Sequence, residues 1–116
     1  MIAVIPILIK ELQNISPGMG VYGPGHWDEP VPAMHVGLIS FVPGPGGAQG
    51  RLKLHYFMGE GDTVATIFSW FEQVYQRLHT QHYGQYRFYV EEVGLEEKGD
   101  TVGGFVTLLF NYRKEV

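Results

Sequence analysis

The chain has 116 residues, of which 45% are hydrophobic and 17% are charged, and this length suits one domain with its own core. The absence of cysteine excludes disulfides, thiolate nucleophiles and cysteine-ligated zinc. Twelve acidic residues against eight Lys and Arg residues give a net charge of −4, and no run of basic residues could neutralise a phosphate backbone. We therefore predict a single domain over residues 1–116 that recognises no nucleic acid sequence.

A helix is predicted near the start of the chain. Apolar residues recur at helical spacing from Ile5 to Ile15, and Pro17-Gly18 ends the pattern. An extended segment over residues 2–9, rich in β-branched side chains, is the alternative. The apolar stretch Met1 to Ile9 is too short to span a bilayer and lacks the basic start and cleavage site of a signal peptide. We therefore expect it to belong to the core, and we expect no membrane partner.

Glycine and proline divide the next part of the chain. Residues 16–33 leave room for a short strand around Met19 to Tyr22, followed by a loop. The nearly continuous apolar residues from Met34 to Val42 predict a strand that is buried on both faces or covered by a helix on one. Residues 43–50 contain no apolar anchor and predict a flexible connector, too long for a tight hairpin. The alternation from Arg51 to Met58 predicts the next strand.

The most regular pattern lies in the second half of the chain. After a possible cap at Asp62 or Thr63, an apolar stripe follows helical spacing: Val64, Ile67, Phe68, Phe71, Val74, Tyr75 and Leu78. Two strands follow, Tyr86–Leu95 and Thr101–Tyr112, joined by a turn of hairpin composition. The order α-β-β-β-α-β-β predicts an α+β domain, with a mainly antiparallel sheet of four to five strands and two helices packed on one face.

The segments that resemble catalytic motifs lack the context that their chemistry needs. Gly18-x-Gly20-x-x-Gly23 has the spacing of a dinucleotide fingerprint, but a helix precedes it and a proline follows it. Ser16, Ser40 and Ser69 all lie outside a nucleophile elbow. A His–carboxylate pair within residues 25–29 would still need a nucleophile and a pocket. We predict no catalytic residues, no cofactor and no enzyme activity.

Histidines and carboxylates give a metal site only partial support. His79-x-x-His82 places two imidazoles near a helix end, but zinc needs three or four ligands and the spacing supplies no third. Neighbouring residues of the pairs Glu91-Glu92 and Glu96-Glu97 point to opposite faces of a strand and so do not form an acid/base pair. Because charged residues are mostly exposed, we predict a solvated hairpin here. We predict no metal site. A metal protein that uses His26, His79 and His82 with Asp28 or the acidic hairpin is kept as an alternative.

Several aromatic residues favour binding through surfaces. Trp70 falls off the apolar stripe of its helix and Trp27 lies in a loop, so each either anchors an interface or folds over its own core. The segment from Tyr86 to Tyr89 places aromatic side chains on both faces of a strand, of which helices cover one. The interface candidates are Trp27, Trp70, Gly44, Gly46, Gly47, Arg87, Tyr89, Glu96 and Glu97.

The order of the elements follows a known pattern. Its features are an amphipathic first helix, the short strand Gly20-Val21-Tyr22, a proline before the strand that opens Ala33-Met34, the alternating strand Leu52 to Phe57, a second helix, and a hairpin that ends in Phe110-Asn111-Tyr112-Arg113. This pattern resembles the tail-completion or tail-terminator proteins of tailed bacteriophages. It covers nearly the whole chain, although residues 43–50 are richer in glycine and proline than that family's pattern.

The resemblance implies a structural virion protein that forms a ring, usually of six subunits, at the head-proximal end of the tail tube. Such a ring ends tube growth and joins the tail to the neck or connector, while DNA passes through it. The implied partners are further copies of the chain, the tube protein and a neck protein. The implied location is the virion tail, after assembly in the host cytoplasm. Residues 23–33, 43–50 and 86–112 are the expected contact segments.

A non-viral homo-oligomeric binding module of similar fold is the second hypothesis. In that module, the strand over residues 101–112 would pair with its copy across a two-fold axis. The histidine-based metal protein is the third.

Overall fold

The computed structural model describes residues 4–24 and 32–114, and within them the chain forms two helices and one six-stranded sheet. The elements are α1 (Val4–Ile15), β1 (Gly20–Tyr22), β2 (Ala33–Gly44), β3 (Gly47–Phe57), α2 (Val64–Leu78), β4 (His82–Tyr83), β5 (Tyr86–Lys98) and β6 (Thr101–Arg113). The strand order is β1-β2-β3-β6-β5-β4, with β1 parallel to β2 and every other neighbouring pair antiparallel. The predicted α+β class is confirmed.

The described sheet has six strands rather than the predicted four to five because β4 is too short to show an alternating pattern. Its residues His82 and Tyr83 pair with the start of β5 across a turn at Gly84-Gln85. Gly84 has a φ of +64°, a conformation that glycine adopts without steric cost. β6 is paired with β3 on one side and β5 on the other. It therefore has no free edge with which to pair across a two-fold axis.

The core lies between the two helices and one face of the sheet. The helix predicted near the start of the chain is present as α1, and it buries Val4, Leu8 and Leu12 at spacings of one helical turn. Alternate residues of β3 and β6 complete the core: Leu52, Leu54, Tyr56, Val106, Leu108 and Phe110. No helix within the described ranges is long and apolar enough to cross a bilayer.

A glycine in β6 sets the position of α2 over the sheet. A Cβ atom at Gly104 would lie 2.4 Å from Cγ2 of Ile67 and 3.0 Å from Cε1 of Phe71. Real side chains do not approach so closely, and the contact therefore depends on glycine at this position. The N-terminal end of α2 thereby packs directly on the β6 backbone.

α2 is rotated relative to the stripe that its sequence predicts. Its buried residues are Ile67, Trp70, Phe71, Val74 and Leu78, whereas Val64, Phe68 and Tyr75 are exposed. The prediction that Trp70 falls off the core face is therefore wrong. Both stripes have helical spacing, and packing decides between them. Trp70 contacts Tyr56 of β3, with ring centroids 5.5 Å apart, and only 2% of its surface is accessible.

The flexible connector predicted for residues 43–50 is also wrong. β2 and β3 pair as far as Gly44 and Gly47, and only Pro45 and Gly46 lie between the strands. β3 pairs in turn with β6 as far as Arg113, and the Lys114 amide donates a hydrogen bond to the Gly46 carbonyl. This neighbouring strand supplies the partner that keeps a glycine-rich segment extended.

Two β-bulges interrupt the outer long strands. The register shifts between Leu38 and Ser40 in β2, and between Val90 and Glu92 in β5. Both shifts lie next to the same row of paired residues, which runs across β3 and β6 and contains Leu108. At this level β2 changes from buried to exposed.

Candidate functional site

The two tryptophans proposed as interface anchors do not form a described surface. Trp27 lies outside the residues that the structure describes. Trp70 lies in the core, and its indole Nε1 is buried without a hydrogen-bond partner among the described residues. The candidate surfaces are therefore built from other residues.

The first candidate surface is the open side of β2, which we call the β2 edge (residues 36–44). β1 covers this side of β2 only at Ala33–His35, and the described residues provide no further strand beside it. Four large apolar side chains on the β2 edge are exposed: Leu38, Ile39, Phe41 and Val42, the last to 65%. No charged residue occurs between His35 and Arg51. An uncharged apolar edge of this length readily pairs with another strand.

The second candidate surface is the open side of β5, the β5 edge (residues 91–98). Residues 79–83 cover the other half of this side, and their last contact is the Val90 amide, which donates a 3.0 Å hydrogen bond to Nδ1 of His79. Val93 and Leu95 are exposed beyond that point. The β2 edge and the β5 edge thus lie on opposite sides of the sheet and at opposite ends of the long strands.

Two of the four hairpin glutamates form ion pairs on the face of the sheet that the helices leave open. A carboxylate oxygen of Glu96 contacts Nδ1 of His55, and its other oxygen lies 3.4 Å from Nζ of Lys53. Gly103 lies between Glu96 and Phe57 in the pairing, so no side chain of β6 blocks this reach toward β3. Glu91 pairs with Arg51 at 2.9 Å and raises the pKa of that guanidinium. Glu97 is exposed, in line with the predicted solvated hairpin.

The third candidate surface is a basic pocket of about 620 Å³ on the open face, at the adjoining ends of β4, β5 and β6. The side chains that matter for its chemistry are His82, Arg87, Tyr89, Asn111, Arg113 and Lys114. No acidic side chain lines it within the described part of the chain. The interface candidates Arg87 and Tyr89 lie together here, with the guanidinium carbon 5.3 Å from the ring centroid. The register brings His82, Arg87 and Asn111 side by side.

The three glycines among the interface candidates lie close to this pocket. Gly44, Gly46 and Gly47 form the tip of the β2–β3 hairpin, which pairs with the end of β6. Val42, Gly44 and Gly47 line a second depression, of about 420 Å³, that continues to Asn111 and Arg113. Gly44 and Gly47 therefore lie at the ends of two paired strands, and Gly46 lies in the turn between them.

Among the described residues, His79 and His82 do not come together in a metal site. His79 accepts the amide hydrogen bond of Val90, and its ring stacks on Tyr75 with centroids 4.4 Å apart. His82 lines the basic pocket instead. His26 and Asp28 lie outside the described residues. The residues that are described contain no group of three or more His, Asp and Glu side chains placed to hold a metal ion.

No protein-family model matches the chain, and no curated protein matches it.

Three surfaces remain as candidate functional sites. Within the described residues, the two edges present unpaired backbone amides and carbonyls beside exposed apolar side chains, and so they are suited to pairing with further strands. The basic pocket presents guanidinium, ammonium and imidazole groups to one volume and so is suited to an anion. Sequence reasoning missed the β2 edge because a continuous apolar run suggests burial. The uncharged stretch between His35 and Arg51 was the available signal.

Proposed function

We propose that this chain is a structural, ring-forming protein of the tail-terminator type. The β2 edge of one copy pairs with the β5 edge of the next, and the closed ring ends a phage tail tube and joins it to the neck. The observation that carries the self-assembly is the uncharged, exposed β2 edge. Natural proteins blunt such edges with charges, prolines or bulges, or cover them. In the described residues the β2 edge has no charge and no covering strand beyond β1, and its protective features are Pro43 and the bulge between Leu38 and Ser40.

Strand direction supports contacts between different edges. β2, β3, β6 and β5 alternate in direction across the sheet, so β2 and β5 run antiparallel to each other. Copies related by rotation about a ring axis would therefore place β2 beside an antiparallel β5 and continue the alternation of the sheet. A contact between two different surfaces is heterologous, and heterologous contacts close into rings when the rotation between copies divides a full turn.

The position of the free edges supports closure as well. Ser40 lies in the middle of the β2 edge, and its row of paired residues crosses the sheet through Arg51 and Leu109 to Tyr89. The middle of the β5 edge pairs instead with residues 104 and 105 of β6. For the two edges to meet, the next copy must be shifted along the strand direction by about four to five residues, or about 15 Å. The four long strands of one copy are together about 19 Å wide. This ratio gives a strand tilt of roughly 40°, within the range of closed barrels.

The assignment to a phage tail rests on the order of elements. The first helix, the short β1, the proline before β2, and the β3-α2-β5-β6 sequence follow the tail-terminator pattern. β4 is a two-residue addition within the connector. The tube and neck partners are proposed on that resemblance alone.

The native mass of the protein over a wide concentration range tests the proposal. We expect growth to a closed species of about six copies, as cyclic closure allows. Ile39→Lys and Leu95→Lys should each stop assembly, because a lysine on either edge opposes pairing. Val64→Lys makes the same kind of change at an exposed apolar residue of α2, which belongs to neither edge, and should assemble normally.

Mixing the two edge variants distinguishes the geometries. Each variant keeps one intact edge, so the mixture should form a heterodimer and stop there. A two-fold dimer that persists in Leu95→Lys would contradict the ring, as would a protein that is monomeric at every concentration.

A further inference from the structure

We propose that the basic pocket at the ends of β4, β5 and β6 is a binding site for a small organic phosphate. This proposal does not depend on ring formation. It rests on the charge in the pocket, on one buried group without a partner among the described residues, and on the size of the pocket.

The charge of the pocket is opposite to that of the whole protein. Arg87, Arg113 and Lys114 line one volume, although the chain has only eight Lys and Arg residues and a net charge of −4. None of the three forms an ion pair with a carboxylate of the described residues. By contrast, Arg51 and Arg77 are paired with Glu91 and Glu11. Three cations in one pocket that no described carboxylate compensates favour a divalent anion, which a phosphate monoester is near neutral pH.

Arg87 provides the second observation. Its Nε is buried and has no hydrogen-bond partner among the described residues. A buried donor left unsatisfied has a free-energy cost, and natural structures rarely leave one without a ligand, water or ion. The guanidinium lies beside the ring of Tyr89, which restricts the orientation of its N–H groups. Because this Nε has almost no accessible surface, an oxyanion in the pocket would reach it only after the guanidinium turns toward the pocket, and the hydrogen bond formed there would satisfy the buried donor.

The size and the remaining lining indicate what the phosphate carries. A volume of about 620 Å³ falls in the range of ligand pockets and exceeds what a single phosphate group fills. The ring of Tyr89 and the amide of Asn111 offer an apolar face and neutral hydrogen-bonding groups beside the cations. A phosphate on a small organic body therefore matches the pocket better than the free ion.

Titration of the full chain carrying Ile39→Lys tests this site without interference from assembly. The probes are inorganic phosphate, adenosine 5′-monophosphate, adenosine and a short DNA duplex, at constant ionic strength. Binding is followed by calorimetry and by the NMR signal of the Arg87 side-chain N–H. We expect saturable binding of phosphate and tighter binding of the monophosphate, with no binding of adenosine and a shifted Arg87 signal.

Three further variants locate the site. Arg87→Gln and Arg113→Gln should each weaken phosphate binding by at least about tenfold, the loss expected for one charge-assisted hydrogen bond. Arg77→Gln removes an arginine outside the pocket and should bind as before. If Arg87→Gln does not fold, Arg113→Gln carries the test, because Arg113 is exposed at the end of β6.

Two results would overturn the proposal. One is the absence of saturable phosphate binding in the millimolar range, or equal binding by all arginine variants. The other is binding of the duplex alone, which would indicate a diffuse basic surface for a polyanion and no discrete site.

Discussion

Replacing Trp70 with alanine should lower the free energy of unfolding by about 3–5 kcal/mol, the usual cost of truncating a large buried aromatic. Only 2% of the Trp70 surface is accessible, and its ring contacts Tyr56 and Phe71 with centroids 5.5 and 5.8 Å apart. For a domain of this size, a loss of 1 kcal/mol lowers Tm by about 4 °C. The expected fall in Tm is therefore about 12–20 °C.

Urea unfolding followed by far-UV circular dichroism measures this loss, and Phe68→Ala is the matched control. Phe68 lies two residues away on the same helix and is 55% exposed, so its truncation should cost less than about 1 kcal/mol. Trp70→Phe should cost less than Trp70→Ala, because it keeps an aromatic ring and removes the unpaired indole N–H. Equal losses for Trp70→Ala and Phe68→Ala would refute the rotation of α2 described above.

Two further predictions concern the same core. Gly104→Val should lower the free energy of unfolding by about 1–3 kcal/mol or more, because the new side chain would overlap Ile67. Gly46→Val, at the open hairpin tip, is the control, and in the same urea assay it should change the free energy of unfolding by less than about 0.5 kcal/mol. Burial, followed by the nearby Asp62 carboxylate, raises the pKa of Tyr56 from 10.0 to about 12. The folded state therefore holds this proton more tightly, so stability should fall as pH rises from 10 to about 12, and Tyr56→Phe should flatten that fall in thermal melts. A wild-type protein whose stability does not fall between pH 10 and about 12 would contradict the burial of the Tyr56 hydroxyl.

The elements with strong periodicity could be predicted from the sequence. The alternation over Arg51–Met58 covers the second half of β3 and ends one residue beyond it. The helical stripe ends at Leu78, where α2 also ends. These patterns are local, because each residue's environment repeats with the period of its own helix or strand. The hairpin of β5 and β6 was predictable for the same reason.

The errors have a common physical origin in contacts between residues distant in sequence. Residues 43–50 have the composition of a loop, and pairing of β3 with β6, about sixty residues later, keeps them in a strand. The rotation of α2 depends on the space above Gly104. The basic pocket combines residues 82–89 with residues 111–114, and no local pattern indicates that they meet. Of the residues that line the pocket, only Arg87 and Tyr89 were predicted as interface residues, because they lie in the aromatic segment from Tyr86 to Tyr89.

The two aligned bulges have a mechanical consequence. A bulge bends its strand and increases the local twist, and here the bulges of β2 and β5 flank β3 and β6 at the level of Leu108. We therefore expect the sheet to bend along a line that crosses its four long strands at this level, and we call this line the crease. In β2, the half before the crease is buried and the half beyond it is exposed. We expect bending to concentrate along this line, which would let a neighbour engage one half while the other keeps its shape.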